Sequence, residues 1–418
     1  MGSSVFSGSS NLKKVEWNSS KMKTIEAESF EDCIKLEEVF FSEEAANNIV
    51  RIGASAFKLG KSSSTVNLKM NFNNFINLTS LGMNAFYGSN LSLIDNMGDP
   101  ISRLIIPRGL VDLPSYAFAN CKFTEVFFPN TYLGTEKGTF IFYSTPLKVV
   151  EFESGLTNLT IPGTCFEYCP LETIINSDCI SILGNSSFYG AGTTDSSIEE
   201  FKNVEELGYK CFGNAYFSAL SFPKLNRIKG VSGATENFYN SKIKTLTFGT
   251  DFGTEKREEG VSYDTSYYYI TDSFFKGSNI DTIKFLGTIE EWCSRIIAPI
   301  NKEREDWSGW PFAKTITNGD GTTSGGRLFV YNKDNELVEF KGTSTSPFKI
   351  DVETIEANVF ANYKNFGYVE FSDKLKTIKE NAFKNITTTT GKDEIYFNMH
   401  PYQYLELEFE NEFSSPYG

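Results

Sequence analysis

Leu113-Pro-Ser-Tyr-Ala-Phe118-Ala-Asn-Cys121, followed by Phe123-Thr-Glu-Val126-Phe-Phe128-Pro129, is the stretch that decides the fold. Its first half reads aliphatic, four variable positions, Phe. Its second reads apolar, then apolar again three and five positions on. The first half recurs at Ile25/Phe30, Ile52/Phe57, Leu81/Phe86, Ile161/Phe166, Leu207/Phe212, Ile270/Phe275, Ile355/Phe360 and Ile378/Phe383. The second recurs at Leu36-Val39-Phe41, Leu147-Val150-Phe152, Phe217-Leu220-Phe222, Ile243-Leu246-Phe248, Ile280-Ile283-Phe285 and Phe366-Val369-Phe371. Two units, Ile182/Phe188 and Ile228/Phe238, are irregular and carry one and five extra residues.

Self-similarity at a spacing of roughly 22 to 32 residues is the mark of a repeat architecture. The ending Val-x-Phe has the period of two of a strand that buries one face. One such unit cannot cover its own apolar residues, whereas stacked units form a continuous core. The pattern therefore predicts an α/β repeat solenoid: a right-handed coil with short parallel strands on one face and turns or short helical arcs on the other. Phe30, Phe57, Phe86, Phe118, Phe166, Phe212, Phe275, Phe360 and Phe383 are its expected core.

The rest of the composition agrees with an elongated repeat. The chain has 418 residues, 38 Phe and 20 Tyr, and no Pro- or Ser-rich linker divides it. A net charge of -14 disfavours nucleic acid, since phosphate binding needs clustered Lys and Arg. No apolar run approaches the ~20 residues needed to span a bilayer. Met1-Gly2-Ser3-Ser4 lacks the basic and apolar regions of a signal peptide and reads as an expression scar. Seven Cys cannot all pair with one another, and Cys33, Cys121 and Cys169 each fall three residues after a repeat Phe, which predicts packed thiols.

The residues 113–121 and 123–129 resemble the BspA-like (treponemal-type) leucine-rich repeats, whose pattern is L-x-x-I-x-L-P followed by L-x-x-I-x-x-x-A-F-x-x-C. The resemblance covers residues 12 to 385 apart from one insertion, which opens on Phe285-Leu-Gly-Thr-Ile-Glu-Glu-Trp292, a G-T-x-E-E-W element that members of this family often carry. Thr288 and Glu291 have capping-box spacing, so a short helix is expected from Ile289 until Pro299 stops it. Leu328-Phe-Val-Tyr331 and Leu337-Val-Glu-Phe340 flank a turn and predict a hairpin. The domain reading is a partial or expression-derived segment at 1–11, a repeat block at 12–288, a helix-plus-hairpin wedge at 289–345, a second repeat block at 346–385, and a C-terminal tail or cap at 386–418.

Catalytic chemistry has little material. The one His, His400, lies in the tail, so His-dependent triads and metal sites are not expected. Cys165, Cys169 and Cys179 contain no C-x-x-C pair. Adjacent carboxylates such as Glu37 and Glu38 point to opposite faces of a strand and do not converge. Asn332-x-Asp334-x-Glu336 has alternate oxygens but lacks the Gly and distal Glu of a calcium loop. No phosphate-binding glycine motif is present. The expectation is no enzyme, no catalytic or metal-binding residue and no cofactor.

On a Val-x-Phe strand the alternate positions point outward, which makes Glu38, Phe40, Glu125, Phe127, Glu151, Thr173, Thr245, Thr247, Thr282, Lys284, Tyr368 and Glu370 the candidate binding face. Exposed Phe40 and Phe127 beside Glu38 and Glu125 suggest a contact patch. The family resemblance implies a cell-surface or secreted protein that mediates adhesion or protein–protein interaction, with a signal or lipid anchor lying outside this sequence. Its partner would be an unknown protein of a host or bacterial surface. The alternative is a carbohydrate-binding accessory protein using the aromatics of 292–312 and the outward strand face, with a glycan as partner.

Overall fold

The structure is a computed structural model that describes residues 2–60, 66–129, 138–198, 201–231, 235–254, 270–271, 273–295, 297–298, 316–317, 323–324, 326–363, 365–384, 386, 395–397, 402 and 406–409. The chain divides into two compact units, Met1–Ile198 and Glu199–Gly418.

In the first unit the Val-x-Phe segments are strands that pair parallel and in register. Lys14–Trp17, Glu38–Phe41, Lys69–Met70 and Ser92–Ile94 form one sheet, closed by the antiparallel Pro100–Ile101. Arg103–Ile105, Glu125–Phe128, Val149–Phe152 and Thr173–Ile175 form the next. Glu38–Phe41, Glu125–Phe128 and Val149–Phe152 each alternate half-buried and buried, because a pleated strand sends successive side chains to opposite faces. Asparagines extend this pairing past the strand ends. Asn71 stands in for a neighbouring strand, its Oδ1 accepting from the Phe41 amide at 3.1 Å and its Nδ2 donating to the Phe41 carbonyl at 2.6 Å.

The aliphatic residue that opens each repeat is itself a strand. Thr24–Ile25, Arg51–Ile52 and Ser80–Leu81 form a second, narrower parallel sheet, and Leu159–Ile161 pairs parallel with Ile180–Leu183. Each coil thus has two strand sides and a third side made of the Ala-Phe arc.

That third side corrects the expectation of helical arcs. Two residues before and two residues after the repeat Phe, the backbone enters the left-handed region: Glu28 and Asp32 around Phe30, Asn84 and Gly88 around Phe86, Tyr116 and Asn120 around Phe118, Thr164 and Tyr168 around Phe166. A helix needs right-handed dihedrals at every residue, so a left-handed residue every fourth position reduces the arc to successive turns. Alternate arc amides donate to the next coil, Phe30 to the Ala56 carbonyl, Phe57 to Ala85, Phe118 to Ile141 and Phe166 to Ser187, while those between them close three-residue turns within the coil, as Glu31 does to Glu28 and Cys33 to Phe30. Among the described residues the α-helices are Glu43–Asn47 and Ile289–Cys293.

The arcs stack their rings into a column. Phe6, Phe30, Phe57, Phe86, Phe118, Phe142, Phe166 and Phe188 follow one another at centroid separations between 5.1 and 5.8 Å. Phe6 and Phe142 fall outside the sequence pattern, the latter because Lys137 stands where the aliphatic is expected. Residues 2–12 pack on the next coil, with the Ser4, Phe6 and Gly8 amides donating to Ala27, Ser29 and Glu31. The residue three after Phe completes the arc: Cys33 Sγ donates to the Phe6 carbonyl at 3.0 Å, Cys169 Sγ to Phe142 at 3.1 Å and Thr145 Oγ1 to Phe118 at 2.7 Å. In these three coils the position holds a small donor that neutralises a buried carbonyl of the preceding coil, whereas Ser89 Oγ donates within its own arc, to the Phe86 carbonyl.

In the second unit Tyr216–Phe222, Lys242–Phe248, Asn279–Thr288 and Arg327–Tyr331 are parallel neighbours. Phe348–Ile350, Val369–Phe371 and Ile395–Phe397 form another parallel sheet, beside a narrow one of Thr354–Ile355, Thr377–Ile378 and Glu408–Phe409. The helix Ile289–Cys293 starts in a reciprocal capping box between Thr288 and Glu291. Its Trp292 is 1% exposed and donates from the indole to the Val359 carbonyl at 3.3 Å. Leu337–Glu339 pairs antiparallel with Arg327–Tyr331, so the first strand of the hairpin also continues the parallel sheet. Phe212, Phe275 and Phe360 are fully buried, whereas Phe383 is half-buried and stacks on Phe360 at 5.5 Å.

Candidate functional site

The outward ladder divides into separate clusters. Glu38 faces Lys14 across the first pair of strands, 3.0 Å from its ammonium, and Phe40 faces Glu16. Glu125 and Phe127 lie on a different sheet of the same unit, beyond the strands Lys69–Met70, Ser92–Ile94 and Arg103–Ile105. The two Glu–Phe pairs that the sequence places in one patch are therefore apart.

Around Glu125 the strand register builds a compact group. Arg103, Glu125, Val149 and Thr173 form one outward row, and Ile105, Phe127, Glu151 and Ile175 form the next. Arg103 sits at its centre, 2.9 Å from Glu151 and 3.9 Å from Glu125, with its guanidinium 5.2 Å from the centre of the Phe127 ring. Ser102 Oγ donates to Glu125 at 3.2 Å. Asn73 holds the strand in place, donating to the Arg103 carbonyl at 2.8 Å and accepting from the Ile105 amide at 2.9 Å. Phe127 is half-buried beneath the cation rather than bare, and the apolar exposure of the patch comes from Ile105 and Ile175, 44% and 42% exposed. The sequence template missed Arg103 and Ile105 because their strand closes on Ile106 where the repeat has Phe.

In the second unit the rows are Ala219, Thr245, Thr282, Arg327 and Ser221, Thr247, Lys284, Phe329. Thr282, expected on the surface, is 5% exposed: Arg327 folds over it and donates to its hydroxyl at 3.1 Å. A long cation one strand along can cover a short side chain, so outward orientation does not ensure exposure. Glu370 faces Lys349 at 3.9 Å, and Tyr368 is half-buried just before that strand.

The remaining chemistry is structural. All seven cysteines are free thiols and buried, and burial raises the thiol of Cys179 to about 11 and those of Cys33 and Cys165 above the ordinary range. Asn332 Oδ1 accepts from the Asp334 and Glu336 amides, which closes the hairpin turn at the position weighed for calcium. Among the described residues no group of three or more His, Cys, Asp and Glu could hold a metal ion, and no helix is long and apolar enough to cross a membrane. Trp292 is buried and presents no ring to a sugar. Trp307, Trp310 and His400 lie outside the described residues.

Parallel strands stacked coil on coil, with one apolar arc per repeat, define a leucine-rich-repeat solenoid. The chain belongs to the BspA type leucine-rich repeat family, whose model matches in six copies over residues 1–98, 96–161, 159–298 and 338–396. Two solved structures are similar at low identity. A leucine-rich repeat protein from Bacteroides ovatus is 14% identical with a TM-score of 0.40, covering 92% of each chain. A leucine rich cell surface protein from Faecalibacterium prausnitzii is 13% identical with a TM-score of 0.32, covering 97% of this chain and 92% of its own. No curated protein matches the chain.

Proposed function

We propose that this repeat protein is a non-catalytic scaffold that binds another protein through the outward face of its wide sheets, at a cell surface or in the extracellular space. The observation that carries the reading is the Arg103, Glu125, Phe127 and Glu151 cluster between exposed Ile105 and Ile175. It is a rigid, flat patch of mixed charge with an apolar flank, the composition of a protein interface rather than of a cavity for a small molecule. Its charged groups engage one another instead of converging on a point where a substrate could react. Placement outside the cytoplasm is supported by the family resemblance.

The test is capture from host and bacterial surface extracts by the wild-type protein, by Ile105→Ser combined with Glu151→Lys, and by Glu38→Ala combined with Phe40→Ser. Loss of the same captured protein with the first variant and retention with the second is the expected result. Equal capture by all three would remove the cluster as the contact. Labelling of intact producing cells with an antibody reads the location, and signal only after lysis would refute surface placement.

A further inference from the structure

The arc side of the first unit carries an aromatic ribbon that neither the core nor the strand face uses. Tyr87, Tyr116, Phe140, Tyr143, Tyr168 and Tyr189 follow one another across five successive coils, Phe140 and Tyr143 sharing one, at centroid separations of 5.5, 4.9, 5.6, 5.7 and 5.8 Å. Each of these rings is at least partly exposed, Tyr168 at 46%. Across the arc segments 84–90, 114–121, 138–145, 163–169 and 184–190 the sequence carries one charged side chain, Glu167. Its carboxylate makes no hydrogen bond or ion pair among the described residues, and desolvation pushes it up to about 7. The Tyr116 and Tyr168 phenols are raised first by burial and then by their neighbours, Glu167 among them. Glu167 directly precedes Tyr168, and its carbonyl accepts from the Ser144 amide at 2.9 Å, which sets it beside Tyr143 of the preceding coil.

The second unit shows what an arc set of this kind holds. There Lys210, two residues before Phe212, places its ammonium 5.1 Å from the Tyr209 ring centre and 5.0 Å from that of Tyr239. The same ammonium is 3.1 Å from Glu236, which also accepts from the Tyr209 hydroxyl at 2.8 Å. An electron-rich ring face and a carboxylate both attract a cation, and two rings with one carboxylate form a cage for it. In the first unit the position two before Phe holds Tyr116, Phe140, Thr164 and Ser186, so rings and carboxylate are present without a lysine from any of these arcs.

We propose that the arc face around Tyr116, Tyr143, Tyr168 and Glu167 binds an alkylammonium group, the lysine side chain of a partner protein. Lysine is the occupant because it is the residue this fold itself supplies to a set of two rings and one carboxylate on the arcs of its other unit. A net charge of -14 favours approach by a basic surface. The site lies on a different side of the coil from the Arg103 cluster and stands or falls independently of it.

The full chain is titrated by calorimetry at low salt with a short lysine-rich peptide and with the same peptide acetylated on every lysine. The wild type binds the first and not the second. Glu167→Gln, which keeps size and removes charge, and Tyr143→Leu, which keeps apolar bulk and removes the ring face, each weaken binding on the order of tenfold. Circular dichroism and the melting temperature establish that both variants are folded. Equal binding of the acetylated peptide, or wild-type affinity in both variants, overturns the proposal.

Discussion

Replacing Phe118 by Ala removes one ring from the middle of a column. Phe118 is fully buried, stacked between Phe86 at 5.8 Å and Phe142 at 5.7 Å, and met edge-on by Phe72 at 5.5 Å and Phe123 at 6.0 Å. Truncating a buried Phe costs about 3 to 5 kcal/mol through lost burial and the cavity left behind. Four ring contacts place the value toward the upper end, since each aromatic pair contributes beyond its area. For a cooperative unit of this size each kcal/mol lowers Tm by roughly 2 to 4 °C, so a loss on the order of 10 °C is expected. The assay is thermal and guanidinium unfolding followed by circular dichroism, with Phe127→Ala as the partner variant. Phe127 shares the repeat but lies half-buried under Arg103, and its loss should cost about 1 kcal/mol or less. A Phe118→Ala effect below about 1 kcal/mol, or equal effects from the two variants, would show that the arc Phe is not the core position.

Glu167→Gln should raise stability at high pH and leave it unchanged at low pH. The folded carboxyl titrates near 7 against an ordinary 4.5, so the contribution of its protonated form is complete below 4.5 and disappears as pH rises through 7. With discount for solvent screening the gain at about pH 8 is on the order of 1 to 2 kcal/mol, and equal melting of both proteins there would refute the desolvation. Gly82→Ala would place a Cβ 2.5 Å from the Ala54 Cα of the preceding coil, and overpacking of this kind costs about 1 to 3 kcal/mol or more; an unchanged melting midpoint would contradict the close coil approach. A chromogenic thiol reagent should label none of the seven buried cysteines rapidly in the native protein and all of them in guanidinium, because burial disfavours the reactive thiolate. Rapid native labelling of any one would contradict its burial.

The sequence by itself determined the repeat, the wide-sheet strands and most of the ring column. Those features rest on local spacing: Val-x-Phe alternates with period two wherever one face is buried, and a Phe recurring in each unit can only be covered by the unit beside it. The same spacing could not settle the arc. Ile-x-x-x-Ala-Phe suits a helical turn as well as a run of tight turns, and the choice came from amides that bond to the next coil and from left-handed residues such as Tyr116 and Lys210, which carry no consensus. The candidate site was legible as outward positions, yet which of them meet was decided by register. Arg103 reaches Glu151 although 48 positions apart in the chain, Arg327 covers Thr282 from 45 positions away, and Glu38 lies apart from Glu125 despite their shared motif. Contacts across stacked coils depend on how many residues each intervening loop consumes, and only the folded chain adds up those lengths.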